Sequence, residues 1–124
     1  MSPHRSPHIL IVDDDRSVLD ILTRALDGYR LSIAGNATAA LHLASTAGTL
    51  DLLITDYLMP SMTGAELIGR LRAQQPTLKV LILTGHGNIL DHERPAWWAA
   101  DTHLAKPPHL ETLRATVAGL IGPA

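Results

Sequence analysis

Three short, unbroken apolar runs constrain this chain more than any other feature: Ile9-Leu10-Ile11-Val12, Leu52-Leu53-Ile54 and Val80-Leu81-Ile82-Leu83. A strand with one wet face alternates apolar and polar residues, whereas a continuous apolar run is the pattern of a strand buried on both faces. His8 extends the first run, and Leu31-Ser32-Ile33-Ala34 and Thr102-His103-Leu104-Ala105 read as two further short strands. Between them the apolar period lengthens to that of a helix. Val18, Leu19, Ile21, Leu22, Ala25 and Leu26 form one such stripe, stopped by Gly28. Asn36 can cap a second helix carrying Ala37, Ala40, Leu41 and Ala44, with Gly48 as its stop. A third restarts at about Gly64, turns Leu67, Ile68 and Leu71 inward and Arg70 and Arg72 outward, and ends before Pro76. The segment Asn88 to Ala100 is predicted as a fourth, interrupted by Pro95, and Leu110, Leu113, Val117 and Leu120 mark the last. Five strands alternating with five helices predict an α/β fold, a parallel sheet covered on both faces and joined by right-handed crossovers.

At 124 residues and 46% hydrophobic content the chain is the size of one domain with one core. Residues 1–7 are polar and Pro-rich, so a disordered leader is expected there and a folded domain over 8–122. Ten Lys plus Arg against twelve Asp plus Glu leave a net charge of −2 without a basic cluster, so nothing suggests direct contact with nucleic acid. The absence of Cys excludes disulfides, thiolate metal sites and a Cys nucleophile. No apolar run approaches the roughly 20 residues that span a bilayer, so a cytoplasmic protein without membrane contact is expected.

Open parallel sheets place their sites at the carboxyl ends of the strands. Here those ends carry Asp13-Asp14-Asp15, Asp56, Thr84 and Lys106. Each has a bland reading: Asp56 as a turn residue, and Asp14 or Asp15 as a helix N-cap. Capping does not call for three adjacent carboxylates, whose repulsion a cation or a basic side chain must offset. Carboxylates from neighbouring strands make an oxygen cage for a hard divalent ion such as Mg²⁺, which usually shares its ligands with a phosphate. Asp56 is then placed to act as nucleophile and form an acyl phosphate, with Lys106 neutralising charge and the Thr84 hydroxyl donating to a phosphoryl oxygen.

These segments resemble the receiver domains of two-component response regulators over nearly the whole chain. Ile9-Leu10-Ile11-Val12-Asp13-Asp14-Asp15 is similar to the family's first strand and acidic pair, and Leu53-Ile54-Thr55-Asp56-Tyr57-Leu58-Met59-Pro60 through Gly64 to its phospho-acceptor segment. Leu83-Thr84-Gly85-His86-Gly87 and Leu104-Ala105-Lys106-Pro107 are similar to its Thr and Lys motifs. The resemblance implies a flavodoxin-like, doubly wound sheet of order 2-1-3-4-5 and a cis bond between Lys106 and Pro107. It implies phosphoryl transfer onto Asp56 from the phospho-His of a sensor histidine kinase or phosphotransfer protein. Asp13, Asp14, Asp56 and the Leu58 backbone carbonyl would surround Mg²⁺. It further implies a signalling phospho-acceptor that assists its own phosphorylation and dephosphorylation without being an enzyme. Its downstream protein target would be met through the fourth helix, fifth strand and last helix, and a phosphorylation-dependent homodimer is a further expected assembly.

Two features depart from the family pattern. His103 stands where the family usually has the Tyr or Phe that swings inward when Thr84 closes on the phosphate, so it is either the switch residue or a half-buried strand His. Pro95 and Trp97-Trp98 replace small and polar residues of the fourth helix, where an exposed Trp would make a partner anchor. His86 and His92 have no further ligands at familiar metal spacing. Two rival functions remain. Asp13-Asp14-Asp15-Arg16-Ser17 is also similar to the nucleophile loop of haloacid-dehalogenase-type phosphatases, which would make Asp13 the phosphorylated residue. A non-phosphorylated pseudo-receiver that only binds a partner is the other.

Overall fold

The computed structural model describes residues 6–56, 64–84, 100–106 and 108–124, with the side chains of Ala65 and Thr84 excepted. The apolar runs form the strands β1 (His8–Val12), β3 (Leu52–Asp56) and β4 (Lys79–Thr84), and the shorter segments form β2 (Arg30–Ala34) and β5 (Thr102–Ala105). All five pair in parallel, in the order β2-β1-β3-β4-β5. β1 and β3 are buried at every position, as unbroken runs require, while the edge strands β2 and β5 are partly exposed. The described helices are α1 (Arg16–Ala25), α2 (Ala37–Thr46), α3 (Gly64–Gln74) and α4 (Leu110–Ile121).

Because side chains alternate along a strand, each strand feeds two cores. Leu10, Val12, Leu53, Val80 and Ile82 pack with Ala37, Ala40, Leu67, Ile68 and Leu71 in the layer of α2 and α3. Ile9, Ile11, Leu52, Ile54, Leu81 and Leu83 pack with Val18, Leu22, Leu113 and Val117 in the layer of α1 and α4. This is a three-layer, doubly wound, flavodoxin-like arrangement.

Local chemistry sets the helix ends. Asp15 is the N-cap of α1, its carboxylate accepting from the Ser17 amide at 2.9 Å and the Ser17 hydroxyl at 2.6 Å. Asn36 caps α2 by accepting from the Ala39 amide at 2.8 Å. Gly48 takes φ +77° just past the end of α2, a conformation side chains disfavour. Gly28 (φ +102°) turns the chain after α1 beside the carboxyl terminus, where a Cβ would stand 3.0 Å from that of Ala124. The next residue, Tyr29, donates its hydroxyl to the Gly122 carbonyl at 2.7 Å, tying the end of α4 to the start of β2.

Two expectations need correction. Leu110 does not join the buried stripe of the last helix: it is the first residue of α4 and 50% exposed. Arg72 is not simply outward, because its long stem lets the guanidinium return to the sheet. Nη2 meets Asp101 Oδ2 at 2.8 Å and Nε donates to the Leu78 carbonyl at 3.2 Å. Residues 1–5, the greater part of the expected leader, lie outside the described residues. So do Leu58, His86, residues 88–99 with His92, Pro95, Trp97 and Trp98, and the Lys106–Pro107 bond. Among the described residues no helix is long and apolar enough to cross a membrane.

Candidate functional site

β1 and β3 are neighbours, and their register pairs Ile11 with Ile54 and Val12 with Thr55. Asp13 and Asp56 continue the alternating series of Ile9, Ile11 and of Leu52, Ile54, at the sheet edge above the layer of α1 and α4. Both carboxylates are largely shielded from water, Asp13 at 1% and Asp56 at 7% exposure, whereas Asp14 is exposed. Each of the three offers a carboxylate oxygen, and these oxygens all lie within 4.8 Å of one another.

Lys106 reaches this cluster from the residue after β5. Its ammonium stands 2.6 Å from Asp13 Oδ2 and 2.8 Å from Asp56 Oδ2. Asp13 Oδ1 accepts from the Asp15 amide at 2.9 Å, so both of its oxygens are engaged. Burial pushes the Asp13 carboxyl above the ordinary carboxylate range, with Asp56 adding repulsion, although Lys106 and the Asp15 amide pull the other way. Burial also acts to lower the Lys106 ammonium, but its hydrogen bonds to Asp13 and Asp56 outweigh that and hold it above its ordinary value. Two buried carboxylates thus share one cation. An open groove of about 550 Å³, lined by Asp13, Asp14, Arg16, Leu19, Asp20, Ile33 and Gly35, leads away along α1.

The donor set suits a hard divalent ion. It is all oxygen, comes from three carboxylates, and already holds one positive charge in the Lys106 ammonium. Of the other expected residues, Thr84 ends β4 opposite Ala105, and His103 lies exposed on β5 opposite Ile82. The Leu58 carbonyl lies outside the described residues. Two contacts were not foreseen. Lys106 bridges Asp13 as well as Asp56, and Thr55 donates its hydroxyl to the Asp56 carbonyl at 3.0 Å. The signal for Thr55 was a lone hydroxyl ending an apolar run.

The family model described as the response regulator receiver domain matches residues 9–118. The response regulator MprA of Mycobacterium ulcerans (strain Agy99) is 34% identical over 118 residues, covering 94% of this chain and 50% of that relative. The chain therefore spans about half the length of this relative and of its counterpart in Mycobacterium bovis. The signal receiver domain of an HD domain-containing protein from Pseudomonas fluorescens Pf-5 superposes with a TM-score of 0.86 at 28% identity, covering 98% of this chain and 90% of that one. The response regulator TrrA of Thermotoga maritima, solved in complex with Mg²⁺-BeF, gives 0.80 at 30% identity, over 92% of this chain and 98% of that one. With its sheet order, its acidic strand ends and this match, the chain belongs to the response regulator receiver domains, signalling domains of two-component systems.

Proposed function

We propose that Asp56 accepts a phosphoryl group from the phospho-His of a sensor histidine kinase or phosphotransfer protein, in a Mg²⁺-dependent step. The observation that carries this reading is the Lys106 ammonium on Asp13 Oδ2 and Asp56 Oδ2 at 2.6 and 2.8 Å, at the carboxyl end of the central strand. A carboxylate so held is shielded and fixed in orientation, which is what an in-line attack on phosphorus needs. An Asp56 carboxylate oxygen forms the new P–O bond. The P–N bond breaks with its electron pair leaving on the imidazole nitrogen, which takes up a proton from solvent. Asp13, Asp14 and Asp56, with the Leu58 carbonyl, are the groups that would hold Mg²⁺, which supplies positive charge to the phosphoryl oxygens when bound. Lys106 adds a second charge from the residue after β5, and Thr84 is proposed to donate to a phosphoryl oxygen. Asp15 is committed to capping α1, which fits the receiver reading better than a phosphatase in which Asp13 is attacked.

Acceptance would shift a pre-existing equilibrium in the face of β5 and α4, with His103 as its switch, and so change affinity for a downstream protein or a second copy. Intact-mass analysis after incubation with Mg²⁺ and acetyl phosphate tests the first step. One phosphoryl group is expected on the wild type and none on Asp56→Asn. Modification that survives in Asp56→Asn but vanishes in Asp13→Asn would transfer the acceptor role to Asp13.

A further inference from the structure

The central strand carries one hydroxyl where its neighbours are hydrocarbon. Thr55 is 1% exposed and lies in register between Val12 of β1 and Ile82 of β4. Val has nearly the same shape and suits a strand as well, whereas a buried hydroxyl loses its hydration unless it finds an acceptor. Its acceptor is the carbonyl of Asp56, 3.0 Å away. That carbonyl belongs to the residue at which β3 leaves the sheet. The Cα register of β1 with β3 runs to Val12 opposite Thr55, and that of β3 with β4 runs one residue further, to Asp56 opposite Leu83.

We propose that Thr55 is a positioning residue for phosphoryl acceptance: its hydroxyl helps to hold the Asp56 main chain at the carboxyl end of β3, keeping the carboxylate aligned with Asp13 and Lys106. This rests on Asp56 being the acceptor. The peptide is planar and the α-carbon tetrahedral, so fixing the direction of the Asp56 carbonyl restrains the Cα–Cβ vector that carries the carboxylate. Thr55 alternates with Leu53 and Asp56 with Ile54, so the support comes from the α2 and α3 layer while the carboxylate opens over the other. A sub-ångström drift of the acceptor is enough to slow an in-line transfer.

The test measures the rate of Asp56 modification by acetyl phosphate at saturating Mg²⁺ by intact mass, beside thermal melts, for Thr55→Val, Thr55→Ser and Thr55→Ala. Thr55→Val should melt at or near the wild-type temperature yet be modified about three- to tenfold more slowly, the scale of one ordinary hydrogen bond. Thr55→Ser keeps the donor but leaves a methyl-sized gap, so it should melt lower and still react at the wild-type rate. Rate and stability then run in opposite orders, which loss of packing alone would not produce. If Thr55→Val does not fold, a slow Thr55→Ala beside a fast Thr55→Ser carries the same conclusion. A Thr55→Val rate equal to wild type, or rates that simply follow the melting temperatures, would overturn the proposal while leaving Asp56 as acceptor. A wild type that takes up no phosphoryl group would remove the acceptor reading and this proposal together.

Discussion

Asp13 is a carboxylate that the fold would rather keep neutral. Burial raises its pKa, so ionising it is less favourable in the folded chain than in the unfolded one, and the penalty grows as pH rises from the unfolded value of 3.8 through the folded one. Below 3.8 the group is protonated in both states and the penalty is gone. Asp13→Asn should therefore be more stable than the wild type at pH 7 without divalent cations. Urea denaturation at pH 7 and pH 3 checks it: the advantage should be present at the first and absent at the second. Lys106 works in the other direction. With its folded value raised above 10.5, its stabilisation is complete below that pH and is lost as pH rises through the folded value. At this scale the sequence revealed which residues would meet, because strand ends are readable from where apolar runs stop. It did not reveal that Lys106 would bridge two carboxylates, nor that Thr55 would bond Asp56, since both depend on register and rotamer.

Element boundaries were legible where a cap or a breaker stood beside a change of period. Asn36 and Gly48 bracket α2 as expected, and Gly64 opens α3. Asn36→Ala should lower stability by about 1 kcal/mol, the usual worth of a side-chain N-cap, with an unchanged dependence on urea. Asp15 caps α1 through an exposed carboxylate whose pKa is lowered by the Ser17 hydroxyl and amide. Its contribution is present above pH 3.8 and lost as pH falls through the lower folded value, so Asp15→Ala should differ from wild type at pH 7 and converge with it in strong acid. Long polar side chains were harder to read. A helical wheel places Arg72 on the wet side of α3, but it cannot show that the stem is long enough for the head to return to Asp101 and the Leu78 carbonyl. Leu110 fails the opposite way: an apolar residue at the right spacing, exposed because it opens the helix.

For the whole molecule, order and layering followed from two patterns, unbroken strands and helical stripes, and the family resemblance supplied the strand sequence. The contact that ties the turn after α1 to the end of α4 was invisible, because Tyr29 and Gly122 are 93 residues apart. Burial raises the Tyr29 phenol above its ordinary 10.0, with Arg114 opposing, so its stabilisation is intact below pH 10.0 and lost as pH rises through the folded value. Tyr29→Phe should cost about 1 kcal/mol at neutral pH, one hydrogen bond, with a gap to wild type that narrows above pH 10. Chemical denaturation at pH 8 and in strong alkali measures both.

The pairing of Ile11 with Ile54 has a genetic consequence. Strand side chains alternate with a period of two, so deleting a single residue within Leu52–Thr55 would exchange the two core layers and swing the Asp56 carboxylate to the far face. A screen for inactive variants would thus recover substitutions at Asp56 as soluble protein, but in-frame deletions in this strand only as misfolded chains. Strand register and the placement of the Asp56 carboxylate are set by the same five residues.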